Sequence, residues 1–249
     1  MFVSASTECL PDLPPLEVLQ LLVDLEYTAV ELALHETGGW LRPTEVMADL
    51  EKAVHACRDT HRLNIAALSV DIEATGEEYY QQFEAIAKLA KLIKVVTLVV
   101  PAAVLGTPFN EEIERLRRLA STAALDGAVV AVKTQVGTMT EDPNTAIVLC
   151  DNVKGLRLCL DPSHYITGPN QGADYDKIFP YVQHMHLRDS TKDKLQVRVG
   201  QGEVDYGKLL QQLSRVKYDR ALCVQMPPME GLDHRAELRK IRLLLDSLL

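Results

Sequence analysis

The chain has 249 residues, of which 47% are hydrophobic and 24% charged, and its formal net charge is −9. This length and apolar fraction fit a globular protein with an ample core, and they exclude a largely disordered chain. The acidic balance disfavours DNA or RNA as a main partner, because phosphate binding needs a cationic surface.

Membrane insertion, secretion and disulfide bonding are also disfavoured by the composition. No uncharged apolar stretch reaches about 18 residues, so we expect no membrane span. The opening segment, MFVSASTECLPDLPP, lacks the basic and long apolar regions of a signal peptide. The five cysteines are scattered and form no CxxC or CxxH pair, which argues against a disulfide framework or a zinc knuckle. We therefore expect a cytoplasmic protein.

Taken in chain order, short apolar runs alternate with segments of helical spacing. The runs predict strands over residues 2–6, 29–34, 65–70, 95–100, 129–132, 156–160, 182–187 and 221–224. The helical segments include residues 16–25, 45–61, 77–91, 110–125 and 235–249, and helices of about ten residues are expected between the later strands. Asn110 is predicted to cap one helix, and Asp142-Pro143 to open the next.

The number of alternations predicts the fold class. Eight strand–helix units in 249 residues give about 31 residues per unit, which is typical of an α/β protein with the closed (β/α)8 TIM barrel. A doubly wound open sheet is the alternative, but it often carries a glycine-rich first turn, and SASTECLPDLPP contains no glycine. No linker-like segment interrupts the chain, so we predict one domain over residues 1–249.

Polar residues follow the sixth and seventh strands, where the active sites of such barrels lie. Asp161 and His164 come directly after the sixth strand, and His184 and His186 occupy alternate positions on the seventh. A carboxylate and imidazoles at strand ends suit a divalent metal or a proton-transfer pair. The alternative is that these groups are polar residues satisfied at the barrel rim.

The segments GLRLCLDPSHYITG and YVQHMHLRDSTKDKLQVRVGQGEVDYGKLLQQL resemble the xylose isomerase-like barrel superfamily. That group includes sugar-phosphate isomerases and epimerases, ketose 3-epimerases and a class of apurinic-site endonucleases. The resemblance implies a metal held by a Glu after strand five, an Asp after strand six, a His on strand seven and a Glu after strand eight. Asp161 and His186 match two of these ligands, and His164 matches a second histidine that contacts substrate or a second metal.

The sequence departs from this family pattern at the other two ligands. AVKTQVGT places Lys133 at the Glu position of strand five, and CVQM places Gln225 at that of strand eight. Since Mg²⁺ and Mn²⁺ favour anionic oxygen sites, we expect no cofactor, or a weakly bound divalent metal (Mg, Mn or Zn). The Lys133 ammonium is expected to take the place of the metal and to pair with Asp161 or Asp189.

Three functional hypotheses follow. In the first, the protein is a sugar or sugar-phosphate isomerase/epimerase with a metal-independent site, in which Lys133 polarises a carbonyl or acts as a low-pKa amine, and His164 or His186 moves protons. In the second, it is a non-catalytic member that binds a small sugar or polyol. In the third, it is a metal-dependent isomerase or epimerase that uses Asp161, His186 and His164 with a further acid. Glu230 and Glu31 are the candidates for that acid.

The remaining site candidates are substrate contacts. Arg188 and Arg198 are expected to bind a substrate phosphate or carboxylate, and Glu31 and Gln225 complete the set. The expected partner is a small-molecule sugar or sugar phosphate, with no nucleic acid and no membrane. The endonuclease branch is disfavoured because RVGQGEVD lacks its D-x-H motif. A homodimer is expected only by analogy with the family.

Overall fold

The computed structural model describes residues 1–249 and contains eight parallel strands that close into a barrel in chain order. The strands are β1 (Phe2–Ser6), β2 (Ala29–His35), β3 (Asn64–Asp71), β4 (Thr97–Val100), β5 (Val129–Lys133), β6 (Arg157–Leu160), β7 (Val182–Leu187) and β8 (Ala221–Val224). Parallel pairing of β1 with β8, from Phe2–Ala221 to Ala5–Val224, closes the ring. The predicted (β/α)8 TIM barrel is confirmed.

Nine helices flank the strands. They are α1 (Pro15–Asp24), α2 (Pro43–Ala48), α3 (Leu50–Arg58), α4 (Gly76–Ile93), α5 (Phe109–Leu125), α6 (Pro143–Asn152), α7 (Ser163–Ile166), α8 (Tyr206–Arg215) and α9 (His234–Asp246). None of these helices is both long enough and apolar enough to span a membrane. All five cysteines are buried and unpaired.

The two faces of the strands differ in chemistry. Outward residues join one hydrophobic cluster of 62 side chains that fills the space between the barrel and the helices. Inside the barrel, the apolar cluster contains only Ala67, Val99, Ala131 and Cys159. Buried polar side chains occupy other inward positions, among them Ser4, Ser6, Glu31, Ser69, His184 and His186. The barrel therefore has a polar interior that requires internal hydrogen bonds and charge balance.

Two helix predictions were wrong. The helix expected over residues 45–61 is broken at Asp49, whose side chain accepts from the Lys52 backbone N at 2.9 Å and begins α3. Between β6 and β7 there is no ten-residue helix, but only α7 and a 3₁₀ helix over Asp176–Tyr181. The intervening residues 167–175 contain two glycines and a proline, which disfavour helix.

Helix caps agree with one prediction and not with another. Asp142 begins α6 as predicted, and its side chain accepts from the Thr145 backbone N at 3.0 Å. Asn110 is not a cap, because α5 begins one residue earlier, at Phe109, after Pro108.

The loop after β7 is held by one buried carboxylate. Asp189 Oδ2 accepts from the backbone N of Gly200 at 2.8 Å and from that of Gly202 at 3.0 Å. A Cβ on Gly202 would lie 1.8 Å from Asp189 Oδ1 and 2.7 Å from the Ser190 carbonyl oxygen. Only glycine fits this contact, which anchors the loop to the strand end that carries Arg188.

We expect Gly202→Ala to lower the free energy of unfolding by about 1–3 kcal/mol, because the added methyl group displaces Asp189. Gly207→Ala is the matched control, since its Cβ would meet only Asp205 Oδ1 at 3.5 Å. Urea unfolding of both variants measures the difference. Equal midpoints for the two variants would contradict the proposed anchor.

Candidate active site

A polar cavity of about 320 Å³ lies at the C-terminal ends of the strands. Only two of its fourteen lining residues are hydrophobic. The charged and imidazole side chains that line it are Glu8, His35, Asp71, Lys133, Asp161, His164, His186 and Arg188. Such a lining suits a polar, hydrogen-bonding ligand rather than an apolar one.

The Glu8 carboxylate lines this cavity and is contacted by four other side chains. Glu8 follows β1 in a 3₁₀ turn over Thr7–Cys9, and its Oε1 accepts from Ser69 Oγ at 2.9 Å. The same oxygen lies 3.2 Å from His35 Nε2 and 3.6 Å from Lys133 Nζ. Gln225 Nε2 donates to Oε2. Sequence reasoning missed Glu8, although an acid directly after the first strand was a usable signal.

Lys133 pairs with Glu8 and not with Asp161, which corrects the predicted pairing. Asp161 is instead neutralised by Arg188, whose Nη2 lies 2.9 Å from Oδ2. Burial alone would lower the pKa of Lys133, but the charges of Glu8 and Glu31 raise it above 10.5. Lys133 is therefore a permanent cation, which corrects the hypothesis of a low-pKa amine.

Arg188 and Gln225 link the carboxylates of Asp161 and Glu8 through one chain of contacts. Arg188 Nη2 contacts Asp161 and donates to Gln225 Oε1, and Gln225 in turn donates to Glu8. Burial would raise the pKa of Asp161, but Arg188 and His164 outweigh it and lower the pKa. Both carboxylates are therefore ionised and balanced by cations from other strands.

His164 lies beside Asp161 with one nitrogen already bonded. Its Nδ1 accepts from the Val136 backbone N at 3.3 Å, and its Nε2 lies 3.7 Å from Asp161 Oδ2. Burial lowers the pKa of His164 below 6.5, although Asp161 opposes this shift. The neutral ring therefore carries its proton on Nε2, which makes it a hydrogen-bond donor rather than a base.

Glu31 and two histidines form a second group beneath the cavity. His186 Nε2 lies 2.9 and 3.1 Å from the two carboxylate oxygens of Glu31. His184 Nε2 also lies 2.9 Å from Glu31 Oε2, but without the alignment that a hydrogen bond needs. Burial opposes the charged form of His186, yet Cys159 and Glu31 raise its pKa well above 6.5. His186 is therefore a buried cation at the cavity floor.

The structure brings most of the predicted site residues together. The cavity lining includes Lys133, Asp161, His164, His186, Arg188 and Gln225. Three candidates lie elsewhere, and one of them, Glu230, is exposed and does not line the cavity. Glu31 is completely buried below the cavity and does not line it. Arg198 does not line it either, since its side chain is 52% exposed and its Nε faces Glu237 Oε1 at 3.8 Å.

The positions that resemble the family's metal ligands do not fit a divalent cation here. Asp161 binds Arg188, His186 binds Glu31, and Gln225 lies between Arg188 and Glu8. A dication at this place would also face the Lys133 ammonium and the Arg188 guanidinium at close range. The ion pairs of Asp161 with Arg188 and of His186 with Glu31 also disfavour a metal bound by Asp161, His186 and His164.

The comparison with known families agrees with the fold. A family model described as xylose isomerase-like TIM barrel matches residues 19–245. The chain belongs to this family of barrels. No curated protein sequence matches it significantly.

Several solved structures share the fold across the whole chain. The 3-keto-D-glucoside 4-epimerase from E. coli has 16% identity and a TM-score of 0.75, with 99% of both chains covered. The probable 3-DHS dehydratase from Bacillus anthracis has the same identity, TM-score and coverage. A xylose isomerase-like TIM barrel protein from Mycobacterium smegmatis, in complex with magnesium, has 15% identity and a TM-score of 0.77, covering 99% of this chain and 97% of that one. At these identities the likeness shows the fold alone.

The ion pair between Glu8 and Lys133 is testable by titration. Burial would raise the pKa of Glu8, but Lys133, together with His35 and His186, lowers the pKa from 4.5 to about 2. We expect the ¹³C signal of the Glu8 carboxyl carbon, assigned with Glu8→Gln, to stay that of a carboxylate well below pH 4.5. Lys133→Met should move the midpoint upward. A midpoint near 4.5 in the wild type, or no change in Lys133→Met, would refute the pairing.

The same shift sets the sign of the pH dependence of stability. Because the folded-state pKa is depressed, the contribution of Glu8 is complete above pH 4.5 and is lost as the pH falls towards 2. The difference in unfolding free energy between the wild type and Glu8→Gln should therefore shrink as the pH falls below 4.5.

Proposed function

We propose that this protein is a sugar or sugar-phosphate isomerase or epimerase with a metal-independent site, in which Lys133 takes the place of a metal-binding glutamate. One observation carries the proposal: Glu8 holds a permanent cation, Lys133, and an imidazole, His35, on the same carboxylate oxygen at the edge of a polar cavity. An electrophile beside a base is the pair that proton abstraction next to a carbonyl requires.

His35 is the best candidate for the base. Its Nε2 lies 3.2 Å from Glu8 Oε1, which favours the tautomer with the proton on Nε2 and leaves the Nδ1 lone pair free. Burial lowers the pKa of His35 below 6.5 despite the opposing charge of Glu8. The ring is therefore neutral at pH 7 and able to accept a proton.

Lys133 supplies the positive charge for the developing oxyanion. Lys133 Nζ and His35 Nε2 lie 3.6 and 3.2 Å from the same oxygen of Glu8, so both side chains border one wall of the cavity. A fixed cation in a preorganised site stabilises an enediolate without reorganisation, and the His164 Nε2–H donates a further hydrogen bond.

The two outcomes differ in where the protons return. The base removes a proton from the carbon beside the carbonyl, and the electron pair moves onto the oxygen that faces Lys133. Return of the proton to the opposite face of the same carbon is epimerisation. Return to the former carbonyl carbon is isomerisation, and it also requires that the hydroxyl proton on the deprotonated carbon moves to the former carbonyl oxygen. Neither outcome requires an external oxidant, reductant or metal.

The cavity supports a small carbohydrate as the ligand. Its volume of about 320 Å³ is at the small end of the range of about 300–1,000 Å³ found for small-molecule sites. The E. coli neighbour is a 3-keto-D-glucoside 4-epimerase, which is consistent with a sugar ligand here. A cytoplasmic location and a homodimer remain predictions from the sequence.

Proton exchange tests this proposal. A panel of ketoses and ketose phosphates is incubated with the protein in D₂O, and NMR detects deuterium at the carbon beside the carbonyl. We expect incorporation with the wild type and a loss of at least about 100-fold in His35→Gln and in Lys133→Met, the size typical of an acid–base group. Lys154→Met, which changes an exposed lysine, is the matched control and should retain wild-type exchange.

The second candidate function is ligand binding without catalysis. It is favoured by the pairing of Arg188 with Asp161 and Gln225, which leaves that arginine with internal partners. Calorimetric binding of a sugar without any deuterium incorporation would favour this alternative over the enzyme.

The pH profile offers a separate check. Exchange should fall at low pH as His35 is protonated, with a midpoint below 6.5, because its pKa is lowered. Initial rates measured across the pH range should therefore rise through this midpoint and then level off. A rate that does not fall at acidic pH would contradict the role of His35 as the base.

A further inference from the structure

The geometry points to a zinc site that is closed by four protein ligands inside the barrel, formed by Glu31, His184, His186 and Cys223. It lies below the cavity at the strand ends and shares only His186 with the metal site that the family resemblance implies. It is a further site that the proposed reaction does not use.

The four donor groups are already gathered. One carboxylate oxygen, two imidazole nitrogens and one sulfur lie within 4.8 Å of one another. In a tetrahedral zinc site, the bond lengths place the ligand atoms about 3.3–3.8 Å from one another. The donor atoms that lie farthest apart here would therefore approach each other by about 1 Å when zinc binds. The residues come from three strands, with Cys223 opposite His186 in the β7–β8 register and Glu31 on β2. All four side chains are buried.

Two unpartnered polar atoms lie in the same place. His184 Nε2 is completely buried and has no hydrogen-bond partner, although it lies 2.9 Å from Glu31 Oε2. Ser4 Oγ is also buried without a partner, beside Cys223 across the β1–β8 pair. Buried polar atoms of folded proteins are nearly always satisfied by a partner, a water or an ion. A zinc ion would accept the His184 lone pair, and Ser4 would donate to the Cys223 thiolate.

The donor set selects the metal. A thiolate with imidazoles favours zinc over magnesium or manganese, which prefer oxygen ligands. The carboxylate and the thiolate together carry two negative charges, so a bound Zn²⁺ leaves a neutral site in the buried interior. The imidazoles bind as neutral rings and the thiol loses its proton, so loading releases protons to solvent. With four protein ligands and no open position, the ion would be structural.

The donors lie between two cavities. A second cavity, of about 290 Å³, lies at the N-terminal ends of the strands between Phe2, Thr97 and Ala221, and His184 lines it. His186 lines the cavity at the other end. His184 and His186 therefore separate the proposed ion from solvent at the two ends of the barrel.

Cobalt substitution tests the site. The purified protein is stripped with a chelator and titrated with Co²⁺ while absorption is recorded. We expect one ion per chain, a tetrahedral spectrum and a thiolate-to-cobalt charge-transfer band. Cys223→Ser should lose the band, and His184→Gln should weaken binding by at least tenfold. Cys57→Ser, which changes a buried helix cysteine, is the matched control and should keep the band.

Two further measurements distinguish a variant that fails to fold from a site that does not bind metal. Should Cys223→Ser fail to fold, X-ray absorption of the zinc-loaded wild type must show one sulfur neighbour. Lys133→Met should leave the cobalt spectrum intact, so loss of deuterium exchange in that variant is separate from loss of metal. No stoichiometric uptake, a spectrum without a thiolate band, or a band that survives Cys223→Ser would overturn the proposal.

Discussion

The partly buried Glu8 carboxylate constrains the rest of this site. It enters the cavity from the end of β1 and is contacted by side chains that belong to β2, β3, β5 and the residue after β8. Burial of a charge is unfavourable unless the charge is paired and hydrogen-bonded. Glu8 therefore fixes where Lys133 and His35 point, and with them the orientation of the cavity wall.

Charge balance inside a polar barrel explains the remaining pairs. Three carboxylates, one partly and two fully buried, each face a cation from another strand: Glu8 with Lys133, Asp161 with Arg188, and Glu31 with His186. The positive charge that a divalent metal would supply at the strand ends comes here from side chains. Under the proposed function, this charge is what would stabilise an oxyanion, while the paired side chains are no longer available to a metal at the strand ends. It is a physical reason why one barrel fold hosts different chemistries.

Features that depend on residues close together in the chain were predicted correctly from the sequence. The bounds of β7 and β8 match their apolar runs, and Asp142 caps α6 because an Asp-Pro pair specifies that turn. Asp161 and His186 were placed correctly at the cavity, since strand ends of a barrel converge. The break at Asp49 was missed because apolar spacing continues across it.

Pairings across the barrel could not be predicted. Lys133 was expected to bind Asp161 on the adjacent strand, yet it binds Glu8 from the far side, which no local pattern reveals. Similarly, alternation left the direction of the histidines on β7 undecided. An irregular register between β6 and β7, at Leu158 and Cys159, precedes the point where His184 and His186 both reach Glu31.

The most direct test of a cationic, metal-independent cavity is anomalous diffraction from crystals soaked in Mn²⁺. A cavity balanced by Lys133 and Arg188 predicts no ordered manganese at Asp161 and Gln225, with the contact between Lys133 and Glu8 intact. An anomalous peak coordinated by Asp161, with Arg188 or Lys133 displaced, would contradict it.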